Sequence, residues 1–242
     1  MAKFCTKCGK KLEDGKPCDC ENKENKKVEE VEAEVVNEVA TDYVNDYIDA
    51  LKGIFTKPVD TMKKYAKSSN FILSLIMIGI NSIIFGLFTF FFAKESVGLV
   101  ASLSGYGSLL RGYSVEVPIS VFFMALLLMI IFFLCLGGLL HLIGSALTKK
   151  ESDFKAIMGL IGVNSIFTTI TTLVALVFLF LGELSWIAIL ILAIAGVIYL
   201  LNTYQGFVGL TKIDKNKVCY VFTGAYAITL FVVCYILPKI FS

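Results

Sequence analysis

The chain has 242 residues, 57% of them apolar and only 17% charged, where a soluble domain usually carries about 25% charged residues. Its 22 Lys/Arg and 20 Asp/Glu nearly cancel, which excludes a general electrostatic affinity for nucleic acid. Residues 1–70 hold 13 of the basic and 14 of the acidic side chains, so a polar N-terminal portion precedes a membrane domain. Met1–Lys11 is polar and basic with no apolar run. No cleaved signal is therefore expected, and the first span should serve for insertion.

Residues 1–22 form the first expected unit. Cys5-Thr6-Lys7-Cys8-Gly9 has the form of a zinc knuckle, in which two thiolates from one tight turn take adjacent corners of a tetrahedron. Cys18-Asp19-Cys20 would supply the other corners, and Asp14-Gly15 between the pairs is a hairpin-turn signal. The second pair is C-x-C where ribbons usually show C-x-x-C. A redox dithiol is the rival reading, but it belongs in a strand–helix setting. Four thiolates close the coordination sphere, so the Zn²⁺ is expected to be structural rather than catalytic. Zinc thiolates of this kind belong in a reducing compartment, which puts the N-terminus in the cytosol. Lys3, Lys7, Lys10, Lys11 and Lys16 are offset by Glu13, Asp14 and Asp19, and Phe4 alone could stack on a base, so nucleic acid is an unlikely partner.

Residues 23–55 form a charged linker. Val28, Val31, Val35, Val39, Tyr43, Tyr47 and Leu51 recur at helical intervals. This fits an amphipathic helix from about Val28 to Phe55, whose stripe could pair with a second copy or lie on the membrane. It fits a solvated, partly disordered tether equally well. Thr56-Lys57-Pro58 breaks the pattern, and Val59–Lys67 reads as a short interfacial helix with Lys63, Lys64 and Lys67 toward lipid headgroups.

Residues 56–242 form the membrane domain. About 20 apolar residues cross a bilayer core of roughly 30 Å, and five segments reach that length, at about 71–93, 117–142, 156–181, 184–210 and 218–237. A tight hairpin at Gly182-Glu183 is required, because one continuous helix would far exceed the bilayer. Basic residues cluster before span one, between spans two and three (Lys149, Lys150, Lys155) and between spans four and five (Lys212, Lys215, Lys217). By the positive-inside rule the N-terminus is cytosolic and the C-terminus extracytoplasmic. In the intervening loop, Val97–Leu110 is apolar enough for a short helix against the bundle.

Spans one and three resemble each other at a shift of 83 residues. Asn70-Phe71 matches Asp153-Phe154, and Gly79-Ile80-Asn81-Ser82-Ile83 matches Gly162-Val163-Asn164-Ser165-Ile166. The two glycines are expected to admit close backbones. Asn81 and Asn164, near mid-membrane, must find hydrogen-bond partners. With His141, Asn202 and Gln205 they form a candidate intramembrane polar cluster, joined by Thr168, Thr169, Thr172, Thr223 and Tyr226. It is either a polar path open to the cytosol or interhelical glue. No Asp, Glu, Lys or Arg lies deep in a span, and ion-coupled pumps usually carry one, so glue is favoured. His141 reads as a packing residue near a helix end. Cys135, Cys219 and Cys234 read as small buried apolar residues.

The pre-membrane Phe55-Thr56-Lys57-Pro58, the five spans with a cytosolic N-terminus, the basic loop after His141 and the Tyr199…Gly206…Lys212-x-x-Lys215 run together resemble the Yip family, Ypt/Rab-interacting membrane proteins, in its bacterial branch. The resemblance covers about residues 50–240. Lys3–Cys20 is similar to small zinc ribbons that bacteria fuse to membrane proteins. The Lys/Ile/Phe-rich composition implies a bacterium, where Rabs are absent. The family implies a fold and a membrane role without a reaction or catalytic residues.

The expected protein is thus an all-α integral membrane protein, a five-helix bundle preceded by a minimal zinc ribbon and a helical linker. Its expected function is that of a non-enzymatic scaffold in the cell membrane, presenting the ribbon to a cytosolic or membrane protein, with self-association through linker or spans open. The alternative is a small transporter or lipid-handling protein with a cytosol-facing polar cavity.

Overall fold

The computed structural model describes residues 41–103, 117–148, 153–181, 185–211 and 215–236. The cysteine set Cys5, Cys8, Cys18 and Cys20, most of the linker and much of the loop before span two lie outside these residues. The chain divides into two compact units, Met1–Asp46 and Tyr47–Ser242. In the first, residues 41–46 are helical.

The second unit opens with α1, residues 47–56. It continues with α2 (Pro58–Tyr65), a 3-10 turn (Ser68–Asn70), α3 (Phe71–Leu103), α4 (Ser120–Thr148), α5 (Phe154–Leu179), α6 (Ser185–Leu210) and α7 (Lys215–Phe231), which ends in a π turn (Val232–Ile236). All of these described elements are helical, as a lipid solvent demands, because a helix satisfies its own backbone polar groups. Among the described residues five helices are long and apolar enough to cross a membrane: Phe71–Glu95, Ser120–Ala146, Phe154–Leu179, Trp186–Leu210 and Lys217–Tyr235. At 1.5 Å per residue they measure about 28–40 Å, which covers a hydrocarbon core of roughly 30 Å.

The ends of these helices differ from the sequence expectation in instructive ways. α3 runs past residue 93 to Leu103. α4 begins only at Ser120 because Pro118, which cannot donate, starts a turn whose carbonyl accepts from Val121 N. It then continues to Thr148, so His141 lies about two turns inside the helix, not near its end. α5 is capped by Asp153, whose carboxylate accepts from Lys155 N at 2.9 Å. α5 and α6 are separate helices, as bilayer thickness requires.

α5 is the axis of the bundle. It packs against α2, α3, α4 and α6, and 56% of its most apolar window is buried, against 22% for α6. α3 and α5 lie side by side in the same direction. The Phe71 and Phe154 rings meet at one end with centroids 6.3 Å apart, and the Phe91 and Phe180 rings at the other at 5.2 Å. α6 returns antiparallel along α5, with Ala188 joining Phe88, Ala175 and Leu179 in one apolar cluster. α4 packs against α3 and α7. Outward faces are apolar too: Phe123, Val177, Ile194 and Val197 are exposed, the pattern of a surface solvated by lipid.

Two expectations need correction. α2 runs Pro58–Tyr65 rather than Val59–Lys67, with Pro58 in its first turn, and its apolar face covers protein. Thr61, Met62 and Tyr65 are buried. The physical cause is a trough of glycines: a Cβ on Gly159 would come within 2.6 Å of Tyr65 O, and one on Gly209 within 2.6 Å of Lys63 Cε. The second correction concerns the cysteines. Cys135 is half-buried, while Cys219 and Cys234 are exposed, because α7 is a peripheral helix whose outer face looks away from α4.

Candidate functional site

The polar residues of the bundle make two seams, both involving α5. In the first, Asn81 of α3 donates through Nδ2 toward Ser165 O (3.1 Å), Thr168 Oγ1 (2.8 Å) and Thr169 Oγ1 (3.0 Å). The two threonines in turn donate to Ser165 O, each at 2.8 Å, so their hydroxyl oxygens stay free to accept. In the second seam, Asn164 of α5 donates to Tyr199 O (2.9 Å) and Thr203 Oγ1 (2.7 Å) on α6. Both asparagines are fully enclosed, at 1% and 0% exposure. Each Oδ1 is buried without a hydrogen-bond partner among the described residues, and each amide spends its donors across a helix interface.

The two sites matched at a shift of 83 residues therefore do the same job on successive helices: Asn81 holds α5, and Asn164 holds α6. Their glycines do not. A Cβ on Gly162 would lie 2.7 Å from Ser74 Cα, whereas one on Gly79 meets nothing within 4 Å. The expected close approach exists at Gly162 only, because α5 is enclosed on several sides while Gly79 turns away from its neighbours.

Asn202, Gln205 and His141 lie elsewhere. Asn202 is half-buried and Gln205 exposed, and neither joins either seam. His141 packs edge-on against Phe154, with ring centroids 5.7 Å apart, at the first turn of α5. Among the described residues no group of three or more His, Cys, Asp or Glu side chains could hold a metal ion.

A third feature brings together Thr168, Thr172 and Tyr226 of the expected polar set. A cavity of about 190 Å³ opens between α3, α4, α5, α6 and α7, where Phe85, Phe132, Phe133, Tyr199 and Tyr226 surround the small Ala195-Gly196. Its lining comes from five helices far apart in sequence, so no local motif announces it. A fourth feature is a polar recess between α1 and α2, lined in part by Asp49, Lys52, Lys57, Asp60 and Lys64. There Lys64 Nζ and Tyr65 Oη both donate to Asp49 Oδ2, the latter at 3.0 Å. The Lys64 bond, and next the Tyr65 bond, hold the Asp49 carboxyl below its ordinary value. This clasp folds α1 back along α2.

Residues 52–237, from the middle of α1 to just past the π turn, match the Yip1 domain. The chain belongs to the Yip1 domain family. It is accordingly a multi-pass membrane protein in contact with the bilayer, of a family whose members are in general non-enzymatic and interact with other proteins. No curated protein and no solved structure matches the chain. The matched range takes in both asparagine seams, the cavity, and Lys64 and Tyr65, and it begins just after Asp49.

Proposed function

We propose that this Yip1-domain protein is a non-enzymatic scaffold of a bacterial cell membrane, which presents a cytosolic zinc ribbon to a protein partner. The observation that carries the reading is the use made of the buried amides. Asn81 and Asn164 spend every donor bond on joining α3, α5 and α6, which suits a stiff platform. The docked α2 and the Asp49 clasp extend that stiffness to the residues into which the N-terminal segment leads in sequence. Cys5, Cys8, Cys18 and Cys20 would hold Zn²⁺ as four thiolates. Binding would supply the ribbon's folding free energy, of the order of 10–16 kcal/mol for such sites. The clusters of lysine between alternate spans support a cytosolic N-terminus and an extracytoplasmic C-terminus.

The reading is tested by affinity purification from membranes. A chain lacking residues 1–40 should still insert but lose a partner that the full chain recovers. A Cys5→Ser, Cys8→Ser variant should lose both its one equivalent of zinc and the same partner. Recovery of an identical partner set by all three chains would sink the proposal. The alternative, a small transporter or lipid-handling protein whose polar cavity is shared by Asn81, Asn164, Asn202 and Gln205, draws no support from Asn81 and Asn164, which are engaged in separate seams, or from Asn202 and Gln205, which join neither.

A further inference from the structure

The Phe55 ring of α1 meets the Phe167 ring of α5, with centroids 5.5 Å apart. Phe167 lies about 20 Å along α5 from Phe154 at 1.5 Å per residue. The whole of α5 measures about 39 Å, so it overhangs a hydrocarbon core of roughly 30 Å by about 4–5 Å at each end. Phe167 therefore stands well inside the hydrocarbon, and it fixes the depth of Phe55. Phe55 is 51% exposed, and Ile48, two turns earlier on the same flank of α1, is 42% exposed. The rest of α1 is closed: Ala50 and Ile54 are buried, and Gly53 lies against Thr61 of α2. At this depth the open flank can meet only acyl chains or another protein.

α2 sits nearer the end of the bundle. Tyr65 O lies beside Gly159, in the second turn of α5, and Lys63 Cε beside Gly209, in the last turn of α6. The recess between α1 and α2, about 360 Å³, therefore opens where hydrocarbon gives way to headgroups. Its lining sets Lys52, Lys57 and Lys64 against Asp49 and Asp60, and Asp49 is already taken up by Lys64 and Tyr65. The threonines of its wall offer no donor: Thr56 Oγ1 donates to Lys52 O (3.0 Å) and Thr61 Oγ1 to Lys57 O (2.9 Å). The side-chain donors left to an occupant are ammonium groups, so a complementary occupant brings anionic oxygens. Residues 47–67 carry five lysines and two aspartates, a net charge of +3. The long lysine stem lets an ammonium reach headgroup level from a helix at the hydrocarbon edge. An anion with acyl chains to lay past Phe55 and Ile48 satisfies both the charged recess and the apolar flank, whereas a soluble anion satisfies only the recess.

We infer that the recess between α1 and α2 seats the phosphate headgroup of an anionic phospholipid, whose acyl chains run against Phe55 and Ile48. The lipid belongs to the leaflet that holds the N-terminal end of α5. This goes beyond the scaffold reading and stands independently of the N-terminal cysteines.

The test uses the full chain with Phe55→Trp and Trp186→Phe, which leaves a single indole at position 55. The chain is reconstituted in phosphatidylcholine brominated in its acyl chains, and indole emission is measured. Emission should fall at least twofold relative to the unbrominated lipid. Unbrominated phosphatidylglycerol should restore it more effectively than unbrominated phosphatidylcholine, with a preference of about fivefold, the equivalent of about 1 kcal/mol. Lys52→Gln with Lys57→Gln should bring the preference to unity, and Asp60→Asn should raise it. The native Trp186, at the other end of the bundle, should show no preference in the parent chain. Sodium phosphate at matched ionic strength should change none of these results. Thermal unfolding verifies that each variant is intact. If Phe55→Trp misfolds, phosphatidylglycerol retained per chain after detergent exchange compares the native chain with its Lys52→Gln, Lys57→Gln variant. An indole shielded from the brominated chains, as a second copy lying over α1 would leave it, would overturn the inference. So would equal preference or retention with and without the two lysines, or loss of the preference in sodium phosphate.

Discussion

Asn81 and Asn164 stand in nearly the same words, Gly-Ile-Asn-Ser-Ile and Gly-Val-Asn-Ser-Ile, yet their surroundings diverge. Each asparagine donates across to the next helix, and the hydrogen-bonding role is shared. The glycine two residues earlier is jammed against Ser74 in one copy and faces open space in the other. A buried amide has to find a partner wherever it sits, because hydrocarbon offers none. A glycine takes its meaning from what approaches it, and α5 has neighbours where α3 has lipid.

The sharpest way to break this comparison is to fill both glycines. Gly162→Val puts a branched side chain into the Ser74 backbone and should destabilise the bundle by about 3 kcal/mol, the upper range for overpacking. A denaturation midpoint close to wild type would show that the α3–α5 contact is not tight. Next in size are the amides. Asn81→Leu and Asn164→Leu should each cost about 1 kcal/mol, the scale of interhelical hydrogen bonds in membranes. Hydrogen exchange should place the loosening differently, in α3 for Asn81→Leu and in α6 for Asn164→Leu; the same pattern for both would merge the two seams into one. Gly79→Ala should go the other way and stabilise by about 0.5–1 kcal/mol, since Ala is the better helix former where no neighbour objects.

The smallest effect concerns the exposed clasp on α2, which contrasts with both buried seams in answering to pH. Asp49 is held below its ordinary value near 3.8, chiefly by Lys64 and then by Tyr65. A lowered carboxyl contributes stability that is fully present above the unfolded value and is lost as pH falls through the folded one. Exchange protection of the α1–α2 amides should therefore be level from pH 7 to 5 and decline only in acid below about 3.8. Asp49→Asn should flatten the profile. A decline between pH 7 and 5 would assign the clasp to another group.

The five spans, their order and the hairpin between α5 and α6 follow from the sequence alone, because a run of some twenty apolar residues has one economical solution in a bilayer. The demand that Asn81 and Asn164 be partnered was legible for the same reason. The identity of the partners was not, since Thr168 and Thr203 become neighbours of those amides only when α5 and α6 are laid against α3 in register. The dock beneath α2 needed Gly159 and Gly209 from two different helices. The cavity around Tyr199 and Gly196 needed five helices at once. Solvent dictates what each segment must be, and that demand is local to the chain. Which backbones touch, and where space is left between them, depends on side chains far apart in sequence, and only the packed bundle decides it.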